Sequence, residues 1–160
     1  MNSALCNKRK NAVLIFAWFL VAFCMAAIFY LSHQVAEESA ELSKSFLDKI
    51  LEFFSFNIGN HGIRKFAHGF EYFGLSILVF YASRLSWNKS KPCFTFIFAL
   101  VYSVSDEIHQ YFVPGRACRF TDVLIDCSGA TAGILICLLA VFITNRRKRR
   151  KLSCKKIAAK

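Results

Sequence analysis

Apolar residues along this chain gather into four blocks: Ala12 to Leu31, Phe66 to Leu85, Cys93 to Val113 and Val123 to Ile143. Each is close to the ~20 residues with which a helix crosses the hydrocarbon core of a bilayer. In lipid the backbone must satisfy its own polar groups, so the blocks predict helices. Between the first two blocks the pattern changes. From Ala36 to Phe56, the apolar Leu42, Phe46, Ile50, Phe53 and Phe54 recur at helical spacing among Glu37, Glu38, Glu41, Asp48 and Glu52. That periodicity predicts a short amphipathic helix lying on the outer membrane surface or capping the bundle. The expected fold is all-α, a polytopic bundle of four transmembrane helices. Its three segments are a basic N-terminus (1–11), a membrane domain (12–143) and a polybasic tail (144–160). Lys8-Arg9-Lys10 is the kind of start a signal peptide has, but the apolar stretch behind it exceeds the ~7–15 residues of a signal h-region. A retained helix is expected.

Composition supports the membrane reading and gives an expected orientation. Of 160 residues, 56% are hydrophobic and 18 are Phe, against ~45–50% apolar residues in a soluble domain. The net charge is +11, and nine of the 21 basic residues lie between Arg146 and Lys160. The run Arg146-Arg147-Lys148-Arg149-Arg150-Lys151 directly follows an apolar block. There it reads as an anchor on anionic headgroups, not as a nucleic-acid site, each charge contributing ~1 kcal/mol near the surface. Four spans place both termini and the connection holding Arg84, Lys89 and Lys91 on one side, with 15 basic residues against 6 on the other. The positive-inside rule then puts both termini in the cytoplasm of a multi-pass cell-membrane protein. Seven scattered Cys form no C-x-x-C and argue against a disulfide framework or structural zinc.

The apolar blocks are interrupted by polar groups at one end. The second carries Lys65, His68, Glu71 and Tyr72, with Lys65, His68 and Tyr72 on one stripe and Glu71 beside it. The third ends with Ser105, Asp106, Glu107, His109 and Gln110, and the fourth opens with Asp122 and Asp126 at i, i+4. At ~1.5 Å rise per residue, Glu71 lies ~9 Å past Lys65, Asp106 ~10 Å before Val113, and Asp126 ~6 Å past Asp122. Three helices thus place acids at one level of the outer leaflet. Ionisable groups in a bilayer cost from ~2.5 kcal/mol each, which makes such residues functional candidates. Pro114-Gly115-Arg116 turns the chain and holds Arg116 over the acids. Gly129 and Gly133 form a small-xxx-small face for close helix packing.

The ordered set Lys65-x-x-His68-x-x-Glu71-Tyr72, Ser105-Asp106-Glu107-x-His109-Gln110-x-Phe112-x-Pro114-x-Arg116, Asp122, and Gly129 with Gly133 resembles the VanZ-like family. Leu31-Ser32-His33-Gln34 is similar to that family's exit from the first helix. The resemblance covers roughly residues 12–143. One departure is Asp126, where similar sequences commonly have Asn, so a possible negative charge replaces an amide. The resemblance implies a small multi-pass membrane protein. The family's founding member is linked to lowered teicoplanin susceptibility in Gram-positive bacteria.

Three functional readings stay open. In the first, the cluster binds or modulates an envelope component, with membrane lipids, a lipid-linked cell-wall precursor or a glycopeptide as partner. In the second, the protein is a membrane hydrolase or transferase, with Glu107 or Asp106 as base, His68 or His109 as acid and Arg116 as anion stabiliser. In the third, Lys65, Arg116 and Arg119 neutralise Glu71, Asp106, Glu107 and Asp122 in a purely structural network. No cofactor is expected. A metal is the minor variant, because His68-x-x-Glu71 and Asp106-x-x-His109 each set a carboxylate and an imidazole one turn apart. The sequence leaves the oligomeric state open.

Overall fold

The computed structural model describes residues 2–33, 60–114 and 118–158, with side chains for 9–33, 65–114 and 118–152. The amphipathic helix expected over 36–56, and Arg116, lie outside the described residues. Four helices make up the rest: α1 (Asn2–His33), α2 (Asn60–Trp87), α3 (Pro92–Tyr111) and α4 (Phe120–Ala158). No strand occurs among the described residues.

The helices run further than the apolar blocks at most ends, because hydrophobicity marks only what faces hydrocarbon whereas backbone hydrogen bonding continues through polar residues. α4 is the clearest case. Its 39 residues are ~58 Å of helix, longer than a bilayer with its headgroups at ~40–45 Å. The tail from Arg146 is therefore a continuation of the span. α3 begins at Pro92, where a missing N–H removes nothing from the first turn. It ends at Tyr111, two residues before the apolar block does. Phe112 and Val113 donate their N–H groups to the carbonyls of His109 and Gln110 at 3.0 Å, a tighter closure than the α-helix allows. Pro114 follows and disfavours helix at the residue before it. Between α2 and α3, Asn88 takes φ 52°, a conformation that Asn tolerates better than most side chains.

α2 and α4 form the most extensive contact, and α1 packs on α2 and α3. Glycine decides how near α2 and α4 come. A methyl group at Gly129 would collide with the Gly69 carbonyl oxygen and lie 2.8 Å from its carbonyl carbon. At Gly133 it would collide with Ser76 Oγ and lie 2.7 Å from the Phe73 carbonyl oxygen. Small residues at these two positions let the backbones meet. α1 is held by Ala17, Val21 and Ile28 against Tyr72, Leu75 and Val79. Two long-range bonds pin it: Trp18 Nε1 donates to Ser86 Oγ at 3.1 Å, and Tyr102 OH to the Met25 carbonyl at 2.6 Å.

The molecule is packed inside out. Exposed side chains include Phe16, Phe19, Phe23, Phe70, Ile97, Val101, Leu135, Ile136 and Leu139, while eleven polar or charged residues are buried among the described residues. In water that distribution would leave a large apolar surface unburied. In lipid it is the stable one. Residues 9–33 and 120–152 are long and apolar enough to cross a membrane. In α2 and α3, serines and acids interrupt the apolar run.

Candidate functional site

The buried polar residues are not scattered. The C-terminal ends of α1 and α3 and the N-terminal ends of α2 and α4 meet at one end of the bundle, and most of the sequence-predicted site residues lie there. On α3, the buried positions Thr95, Ala99, Ser103, Asp106 and Gln110 follow helical spacing, with Glu107 beside them.

Adjacent residues on a helix point ~100° apart, so Asp106 and Glu107 serve different neighbours. Asp106 Oδ2 accepts from Ser32 Oγ on α1 at 2.8 Å and from Gln110 Nε2 at 2.9 Å. The same amide reaches Ser32 Oγ at 3.3 Å, which closes a three-residue ring. Glu107 Oε2 accepts the main-chain N–H of Arg119 at 2.8 Å, just before α4 begins. Asp126, fully buried on α4, accepts from Ser103 Oγ through Oδ2 at 2.7 Å. Its Oδ1 lies 3.9 Å from His68 Nδ1, and His68 Nδ1 lies 4.0 Å from Glu71 Oε2. Asp122 is buried in the first turn of α4 and accepts from Thr121 Oγ1 at 3.2 Å. A carboxylate is favoured there by the positive end of the helix dipole. Tyr72 OH is fully buried without a hydrogen-bond partner among the described residues.

The remaining predicted residues stand apart. Ser105 is exposed and donates to the Val101 carbonyl at 2.9 Å. His109 sits at the rim, stacked on Phe29 with ring centroids 4.2 Å apart, and its Nε2 lies 3.3 Å from His33 Nδ1. Lys65 is half-buried and pairs with none of the acids among the described residues. Of the two imidazole–carboxylate pairs, His68 and Glu71 stay together, whereas Asp106 turns to Ser32 and His109 to His33. Among the described residues no group of three or more His, Cys, Asp or Glu converges on a metal position.

Four carboxylates, Asp106, Glu107, Asp122 and Asp126, are buried together. Burying a carboxylate is costly unless it is paired, hydrogen-bonded or protonated. Hydroxyl, amide and main-chain donors hold these in place. Such a site can accept hydrogen bonds, hold protons or pair with a cationic group.

Sequence reasoning missed Ser103, and it noted Ser32 and His33 only as part of the exit from the first helix, with no partner in the cluster. Ser103 was recoverable, since it precedes Asp106 by three residues and so shares its face, whereas Ser105 does not. Ser32 and His33 pair with residues more than 70 positions away, and no local pattern announces that.

A family model described as VanZ/LLP1 matches residues 16–142 of the chain. No curated protein and no solved structure matches it.

Proposed function

The chain belongs to the VanZ/LLP1 family, and from that membership and its inside-out packing we propose a multi-pass protein of the cell membrane. It crosses four times with both termini in the cytoplasm. The buried cluster then faces the outer leaflet, where it binds or modulates a component of the cell envelope. The role is in the glycopeptide (teicoplanin) response of a Gram-positive bacterium.

One observation carries the reading: four buried carboxylates from α3 and α4 meet at the end of the bundle away from the basic tail. An acidic site at this end of the bundle suits an amine or an amide-rich headgroup, while the flanking apolar faces suit a lipid chain. Lipid-linked cell-wall precursors and glycopeptides both meet the membrane at that level.

A structural reading draws support from the Ser32–Asp106 and Ser103–Asp126 bonds, each of which ties two helices together. The two readings part in a susceptible Gram-positive host. Expression of the chain is expected to lower teicoplanin susceptibility relative to empty vector at verified membrane insertion. Unchanged susceptibility would remove the glycopeptide role and leave the structural reading.

A further inference from the structure

At the rim beside the acids, Phe29, His33 and His109 form a stack that the proposed role does not use. His109 lies on Phe29 with centroids 4.2 Å apart and planes 29° apart, and the His33 and His109 centroids are 5.4 Å apart. His33 Nδ1 and His109 Nε2 face each other at 3.3 Å in an exposed position. Two nitrogens bound to one tetrahedral Zn²⁺ at ~2.0–2.1 Å lie ~3.3–3.4 Å apart. The spacing therefore matches the edge of such a site without movement of either helix. Each imidazole also stands in the last turn of its helix, α1 or α3, where the negative end of the dipole favours a cation. By contrast, His68 lies 3.9 and 4.0 Å from its two carboxylate oxygens, too wide for that edge.

We propose that His33 and His109 chelate a divalent first-row transition ion of borderline softness such as Zn²⁺. Water or donor atoms of a ligand complete the coordination. The ion replaces the shared imidazole proton and clamps α1 to α3. Since Ser32 and Gln110 are the immediate chain neighbours of the two histidines, the clamp closes beside the Ser32–Asp106–Gln110 ring.

The test is calorimetric titration of the purified full chain with zinc chloride at neutral pH. One saturable site is expected. His33→Ala or His109→Ala weakens it at least as much as the roughly tenfold that loss of an outer-shell partner costs a metal site. His68→Gln leaves it intact. Electron paramagnetic resonance of the Cu²⁺-loaded wild type, showing two imidazole nitrogens, gives a readout that needs no variant. Absence of saturable binding, its survival in both rim variants, or its loss in His68→Gln overturns the proposal.

Discussion

Asp126 is enclosed on one side by the Ser103 hydroxyl and on the other by His68. An asparagine there keeps the bond from Ser103 through its carbonyl oxygen and turns an NH₂ group toward His68 Nδ1, while removing a carboxylate from a buried acidic neighbourhood. Asp126→Asn is therefore expected to melt at the same temperature as the wild type or above it; a drop of several degrees would mean the charge itself is needed. Ser32 behaves differently, because its hydroxyl is one of the donors to Asp106 Oδ2 and the bond joins α1 to α3. Ser32→Ala withdraws that donor from a buried carboxylate, a loss of ~1–3 kcal/mol. A thermal melt should show it, and a Ser32/Asp106 double-mutant cycle should give a coupling of ~0.5–3 kcal/mol. Additive effects would contradict the pairing. The sequence makes the acids legible at this scale, since spacing alone puts Glu71, Asp106 and Asp126 at one depth. It leaves their partners illegible. Arg119 suggests a guanidinium for the cluster, and only the fold reveals that its main-chain N–H reaches Glu107.

Between α2 and α4 the contact is governed by glycine, and different glycines are expected to behave in opposite ways. Gly129→Ala drives a methyl into the Gly69 backbone, which cannot swing aside as a side chain can. Overpacking of this kind costs about 1–3 kcal/mol. Gly74 has nothing within 4 Å of the corresponding position, so Gly74→Ala is expected to be neutral or to gain up to the ~1 kcal/mol that alanine holds over glycine in a helix. Melting temperatures of the two variants in one detergent check the contrast, and equal shifts would contradict the close approach. The order of the four described helices was readable because each coincides with one apolar block. The ends were less readable, as α4 shows by carrying helical hydrogen bonding through Arg146 to Lys151. Hydrophobicity stops at the headgroups; the helix does not.

At the scale of the whole molecule, the basic runs at the two chain termini and the acid cluster lie at opposite ends of the bundle, and the proposed topology rests on that asymmetry. Cys118 precedes α4 at the cluster end and Cys93 opens α3 at the other, and both are exposed. In single-cysteine variants, a membrane-impermeant maleimide should label Cys118 in intact cells and Cys93 only after permeabilisation. The reverse order would invert the protein and set the cluster in the cytoplasm. The central claim, that the buried acids form a working site and not only a scaffold, is tested most directly by Glu107→Gln. This change keeps an acceptor for the Arg119 N–H while removing a charge. Wild type and variant would be compared in a susceptible Gram-positive host at matched membrane levels, with teicoplanin susceptibility and melting temperature measured together. The account predicts an unchanged melting temperature and loss of the protective effect in the variant. Protection equal to the wild type would contradict it.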